Sequence, residues 1–315
     1  MPKLAFIFPG QGSQEVGMGK DLIENYKEAN ELFNEANSSL EDEGFNLRTL
    51  CLEGLEEELT KTINAQPVML TLSFILYVLL QKNDIKPDIV AGHSLGEYSA
   101  LVAASSIKFK DAVKLVRKRG QYMQTATPSG FGSMAAVISL KKDKIEELIN
   151  KVSKFGTIEV ANYNSPYQIV VSGKSEAIEK LLILGEKEEE MNIVPLKVSA
   201  PFHSSLMRKA KENLACYIKN INIQDPQIPV ICNVTADYVK TKEEIRNALI
   251  EQVTHPVRWV EIINRINSEK IDCFVEVGPG NVLKKLIKQI IPNAKVYNVC
   301  DSVTLENVII EFKNR

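Results

Sequence analysis

Asp88-Ile89-Val90-Ala91-Gly92-His93-Ser94-Leu95-Gly96-Glu97-Tyr98-Ser99-Ala100 is the stretch on which the fold turns. Ile89–Ala91, introduced by Pro87, has the short apolar character of a buried strand, and Glu97–Ala104 reads as a helix. A serine on a sharp strand-to-helix turn needs small residues two positions before and after it, and both are glycine here. Its hydroxyl is then presented at a helix N-terminus, where backbone N–H groups can stabilise an oxyanion. The competing reading is a tight βα turn whose serine only caps the helix.

Outward from this elbow, strands and helices alternate. Leu4–Phe8 is a predicted strand closed by the loop Pro9-Gly10-Gln11-Gly12-Ser13. Helical patterns cover Leu22–Ser38 and Glu56–Thr62, and the apolar run Val68–Leu80 belongs to a buried helix ending near Lys82. Phe109–Gln124 is amphipathic. From Thr127 to Lys197 the order changes to β-α-β-β-α-β: Met134–Leu140, Lys142–Ser153, Thr157–Ala161, Gln168–Ser172, Ser175–Lys187 and Ile193–Val198. The two middle strands flank an expected turn at Asn164-Ser165-Pro166. Helix Ser205–Asn220, strand Val230–Asn233, helices Lys242–Thr254 and Val260–Ser268, strand Cys273–Val277 and helix Val282–Ile291 complete the chain. The prediction is an α/β fold: a large α/β-hydrolase-like domain with a parallel sheet (1–126 and 198–315), carrying an inserted ferredoxin-like subdomain (127–197).

Composition excludes several classes. The chain has 315 residues, 44% hydrophobic and 25% charged, with a formal net charge of -2, so no global field favours nucleic acid. The five cysteines are scattered without a C-x-x-C, which implies neither a disulfide framework nor a zinc site. The N-terminal apolar segment stops at Pro9, too early for a signal peptide core, and Val68–Leu80 is shorter than the ~20 residues of a membrane span. A soluble, cytoplasmic protein is expected, with no membrane association and no metal.

A nucleophilic serine needs a base, and there are three histidines. His93 adjoins Ser94, and neighbours at a strand end point to opposite sides. His255 lies in a helix-ending turn, Thr254-His255-Pro256, open to either a surface or a site role. His203, in Ser199-Ala200-Pro201-Phe202-His203-Ser204 ahead of a helix, is the expected base, since a helix N-terminus keeps imidazole neutral. No acid between Ser94 and His203 in chain order sits convincingly at an apolar strand end, so a Ser–His dyad is expected, with another group holding the imidazole. On Phe109–Gln124, Arg119 falls on the apolar face with Val116 and Met123. A buried guanidinium must be paired, and the partner is either a protein acid or a ligand carboxylate, which the fork of the side chain fits bidentately.

Taken together, these segments resemble the malonyl-CoA:acyl carrier protein transacylases over nearly the whole chain. The resemblance is carried by Phe8-Pro9-Gly10-Gln11-Gly12-Ser13-Gln14, the elbow Gly92–Ala100, Arg119-Gly120 with Met123-Gln124, and Asn162-x-Asn164-Ser165-Pro166 with Gly173. Pro201-Phe202-His203-Ser204, Gln252 before Pro256-Val257-x-Trp259, and Glu276-Val277-Gly278-Pro279-Gly280 extend it. It implies ping-pong malonyl transfer from malonyl-CoA to the phosphopantetheine thiol of acyl carrier protein, for fatty-acid synthesis. Ser94 would be the nucleophile and His203 its base. Gln11 and Leu95 N–H groups would form the oxyanion hole, and Arg119 would bind the malonyl carboxylate. A main-chain carbonyl near Gln252 would orient the histidine, and Met123, Phe202 and Asn162 would line the pocket. No cofactor is implied, and a monomer is expected. Phe202 stands where some relatives have serine and is expected to crowd the malonyl α-carbon. Asn281 replaces a lysine common among relatives.

Overall fold

The computed structural model describes residues 2–139, 142–186, 188, 191–198 and 200–313. The chain opens with β1 (Leu4–Phe8), α1 (Lys20–Asn25), α2 (Lys27–Ser38), α3 (Leu47–Glu53), α4 (Glu56–Thr60) and α5 (Thr62–Lys82). β2 (Ile89–Gly92), α6 (Gly96–Ala103) and α7 (Phe109–Thr125) follow. The middle segment holds β3 (Gly132–Ser139), α8 (Lys142–Val152), β4 (Ile158–Ser165), β5 (Gln168–Lys174), α9 (Ser175–Gly185) and β6 (Met191–Pro195). The last third contains α10 (Arg208–Ile218), β7 (Val230–Ile231), β8 (Tyr238–Val239), α11 (Lys242–Gln252), α12 (Trp259–Ser268), β9 (Cys273–Val277), α13 (Val282–Ile290), β10 (Val296–Val299) and α14 (Ser302–Lys313).

Six strands form one sheet in the order β10-β9-β1-β2-β7-β8, parallel except for the antiparallel edge strand β8. β1 and β9 are buried at every position, as strands covered by helices on both faces must be. The loops that follow β1, β2, β7 and β9 therefore emerge at one edge, beside one another, where a doubly wound sheet opens a crevice. Four strands form a second, antiparallel sheet, β4-β5-β3-β6, the ferredoxin-like order. Its two faces divide by the period-2 rule. Ala135, Val137 and Val171 pack under α8 and α9, whereas Met134, Ala136 and Val170 join the core of the larger part. Backbone bonds from Tyr163 N–H to Val257 O and from Val257 N–H to Ala161 O, both 2.9 Å, fasten β4 to the segment before α12.

Several boundaries differ from the sequence reading. The helix expected over Leu22–Ser38 is two helices, because Tyr26 is extended (φ -129°, ψ 119°). The apolar spacing through Leu22, Tyr26, Ala29, Phe33 and Ala36 runs on across the break without glycine or proline to mark it. β4 continues through Asn164 and Ser165, so the hairpin turn is Pro166-Tyr167 rather than Asn164-Ser165-Pro166. Proline has the fixed φ such a turn uses. The strand expected over Val230–Asn233 pairs only at Val230–Ile231, which frees Asn233 for the site. The helix expected from Ser205 begins with a 3-10 turn, Ser205–Met207, and becomes α-helical at Arg208. α3, β8, β10 and α14 carry too few local signals to have been read. The expected ends at Leu140 and Lys187, and Ser199, lie outside the described residues. Among the described residues one helix, α5, is long and apolar enough to cross a membrane by composition, and 78% of that apolar window is buried inside the protein.

Candidate active site

The elbow is built by close backbone approach. A Cβ on Gly92 would overlap the Gly96 carbonyl, and one on Gly96 would overlap the Phe8 carbonyl of β1. Only glycine lets α6 start directly against the sheet. Ser94 is then held at φ 51°, a left-handed conformation unfavourable for serine, which lifts its side chain off the sheet. Asn233, just beyond β7, fixes this turn twice. Its Oδ1 accepts from Ser94 N–H at 2.7 Å and its Nδ2 donates to Gly92 O at 2.7 Å.

His203 comes from the loop before α10, also at positive φ (56°), and is buried. Its Nδ1 lies 2.8 Å from Gln252 O, which can only accept, so Nδ1 carries the proton. Nε2 is then the free acceptor, 2.8 Å from Ser94 Oγ. The imidazole is held down at about 3, first by burial and next by the positive charge of Arg119. Desolvation and a neighbouring cation, two causes the sequence does not show, thus act to keep His203 neutral.

Arg119, on the inner face of α7, is 1% exposed. A Cβ on Gly120 would strike the Thr62 carbonyl and Ile63, so α7 packs tightly on the first turn of α5 and brings Gln66 alongside. Arg119 Nη1 donates to Gln66 Oε1 at 2.9 Å, and Nη2 donates to Gln252 Oε1 at 2.8 Å and to Ser94 Oγ at 3.2 Å. Among the described residues its Nε has no hydrogen-bond partner. All three acceptors are neutral, and among the described residues no carboxylate is hydrogen-bonded to this guanidinium. The nearest acid in the network, Glu97, stands one amide away, accepting from Gln252 Nε2 at 2.7 Å and from Asn233 N–H at 3.0 Å. Burial pushes its carboxyl up to about 7.

Leu95 caps α6, and Gln11 lies in the loop after β1. Among the described residues, no protein acceptor takes the backbone N–H of either. Gln11 and buried Asn162 line a cavity of about 300 Å³ with His93, Asn164, Gln168, Leu196 and Val282. Met123 is buried on α7, with its sulfur 3.9 Å from Gln66 Nε2, and Phe202 is buried next to His203. His93 turns away from Ser94. Its Nε2 donates to Asn164 Oδ1 at 2.9 Å, and its ring meets Trp259 edge to face. Among the described residues no cluster of His, Cys, Asp or Glu could hold a metal ion.

Sequence reasoning missed Gln66, Glu97 and Asn233. Glu97 left a readable trace, as the only charged side chain on an otherwise apolar helix, Tyr98–Ala103. Gln66 and Asn233 left none, since an amide near an apolar run has many roles.

The acyl transferase domain family matches residues 5–306. Fold and site thus define an α/β acyltransferase. The malonyl CoA-acyl carrier protein transacylase of Bacillus subtilis (strain 168) is 45% identical over 314 residues, covering 99% of this chain and 98% of that protein. The one from Staphylococcus aureus (strain MRSA252) is 42% identical over 309 residues, covering 98% of each. Among solved structures, the Coxiella burnetii malonyl CoA-acyl carrier protein transacylase superposes with a TM-score of 0.94 at 40% identity, covering 98% of both chains. A malonyl-transacylase solved in complex with a type II PKS acyl-carrier protein gives 0.94 at 37% identity, covering 98% of this chain and 99% of that one. The chain belongs to the malonyl-CoA:acyl carrier protein transacylase family.

Proposed function

We propose that this protein transfers the malonyl group of malonyl-CoA to the phosphopantetheine thiol of acyl carrier protein through a malonyl-Ser94 ester, as a cytoplasmic monomer in fatty-acid synthesis. The observation that carries this reading is a buried guanidinium 3.2 Å from the serine hydroxyl whose hydrogen-bond acceptors are all uncharged. A malonyl carboxylate supplies the missing anion, and its docking on Arg119 leaves the thioester carbonyl facing Ser94.

In the first half-reaction His203 Nε2 takes the proton from Ser94 Oγ as the oxygen attacks the thioester carbonyl. The oxyanion is received by the free N–H groups of Gln11 and Leu95. The carbon–sulfur bond breaks, and CoA leaves as a thiol with the proton from His203. In the second half-reaction the phosphopantetheine thiol gives its proton to His203 and attacks the ester. Ser94 Oγ leaves and recovers that proton. Gln252 O holds Nδ1–H throughout, so the proton always moves at Nε2. No cofactor is required by this sequence of steps.

Intact-mass measurement after brief mixing with malonyl-CoA tests it. A malonyl adduct is expected on the wild type, discharged by holo acyl carrier protein, and absent from Ser94→Ala. Arg119→Ala is expected to lower the rate of malonyl loading about a hundredfold or more while sparing acetyl, the loss of a charge-assisted bidentate pair. Equal losses for both donors would assign Arg119 a structural role and overturn the reading.

A further inference from the structure

Gln252 touches every moving part of the site. Its main-chain oxygen takes His203 Nδ1–H, its side-chain oxygen faces Arg119 Nη2, and its Nε2 donates to both Ser94 O (3.0 Å) and Glu97 Oε2 (2.7 Å). A side-chain amide can be turned over to exchange its oxygen and nitrogen. Turned over, it would aim N–H groups at a guanidinium that has only donors, and Arg119 would lose the acceptor that draws Nη2 towards Ser94. The groups that oppose this are the acceptors on the far side, and the shorter contact is to Glu97. It is buried on the first turn of α6, three residues past the nucleophile, and it also takes Asn233 N–H.

We propose that Glu97 is a positioning residue for substrate choice: by holding the Gln252 amide nitrogen it turns the amide oxygen onto Arg119 and fixes the guanidinium beside Ser94. Glu97 itself touches neither acyl group nor reacting atoms. This places an ionisable side chain of the elbow helix in control of an anion site on α7, a role separate from that of Ser94 or His203. The inference rests on Arg119 receiving the acyl carboxylate.

The experiment compares acylation of Ser94 by malonyl-CoA, by acetyl-CoA and by the neutral ester p-nitrophenyl acetate, in wild type, Glu97→Leu, Glu97→Gln, Arg119→Ala and Glu97→Leu/Arg119→Ala. Glu97→Leu removes the acceptor and is expected to cut the malonyl-over-acetyl preference about tenfold or more, chiefly through KM for malonyl-CoA. Glu97→Gln keeps an acceptor oxygen at the same reach and is expected to restore the preference to within about threefold of wild type. In the Arg119→Ala background Glu97→Leu is expected to change the preference by less than about twofold, because the group it positions is gone. If Glu97→Leu does not fold, Glu97→Asp, one methylene short of Gln252, takes its place with the same expected loss. Equal losses for all three donors, a Glu97→Gln preference as poor as that of Glu97→Leu, or additivity with Arg119→Ala would each overturn the proposal. If Arg119→Ala alone leaves the wild-type preference intact, the assignment of Arg119 fails first, and this proposal with it.

Discussion

Replacing Glu97 by glutamine is expected to change how stability depends on pH, and by a calculable amount. Burial raises the Glu97 carboxyl from 4.5 to about 7. Across that window the folded protein keeps a proton that the unfolded chain has released, so this group's contribution to stability falls as pH rises. At about 1.4 kcal/mol per pH unit, the gap between 4.5 and about 7 corresponds to about 3 kcal/mol. Glutamine does not titrate, so the stability of Glu97→Gln relative to wild type is expected to climb by about that amount between pH 4.5 and 7. His203 works in the opposite sense. Its imidazole stands at about 3 when folded against 6.5 otherwise, so the unfolded chain binds the proton first and stability is lost as pH falls below 6.5. By pH 5 this loss reaches about 2 kcal/mol. In the wild type the two contributions oppose each other from about pH 4.5 to 6.5. Glu97→Gln leaves the His203 contribution uncovered. Urea unfolding at intervals from pH 5 to 7, followed by the fluorescence of the sole tryptophan, buried Trp259, measures the difference. A difference between variant and wild type that stays constant with pH, or that falls as pH rises, would refute a proton held on Glu97 by burial.

Two further substitutions test other parts of the structure. Gly96→Ala places a methyl group against the Phe8 and Pro9 carbonyls and is expected to destabilise the protein by about 2–4 kcal/mol, read as a lower urea midpoint. A wild-type midpoint would contradict the packing of the elbow. Phe202→Ser is expected to raise the kcat/KM of methylmalonyl-CoA relative to malonyl-CoA by about 1–3 kcal/mol, the usual worth of one methylene. An unchanged ratio would show that Phe202 does not face the acyl α-carbon.

The legible part of this chain was the part governed by local rules. The elbow could be read because a serine between two glycines, after an apolar strand and before a helix, satisfies several constraints at once. Arg119 could be read because three- and four-residue spacing puts it on the buried side of α7, where a cation needs a reason. The break at Tyr26 could not, since periodicity records which face is buried and not whether the backbone between two turns stays helical. Glu97, Gln66 and Asn233 act through partners 53 to 155 residues distant in sequence. No spacing rule reaches that far. The burial and the Arg119 charge that lower His203 are illegible for the same reason, since only the folded chain makes them.

A carbonyl rather than a carboxylate behind His203 is consistent with an anionic acyl donor. An acid bonded to Nδ1 would strengthen the base, but on the proposed function it would also set a second anion beside the site where Arg119 would receive a first. With Gln252 O in that position, the charge hydrogen-bonded to Ser94 Oγ is the Arg119 guanidinium, and the imidazole lies well below its ordinary value. On the proposed function, a donor bearing a carboxylate would offset the charge on Arg119, whose proximity is one of the causes that lower the imidazole. Glu97 fits the same logic, for its carboxyl is kept behind the Gln252 amide and stands at about 7, so that it orients the network without bonding to the guanidinium.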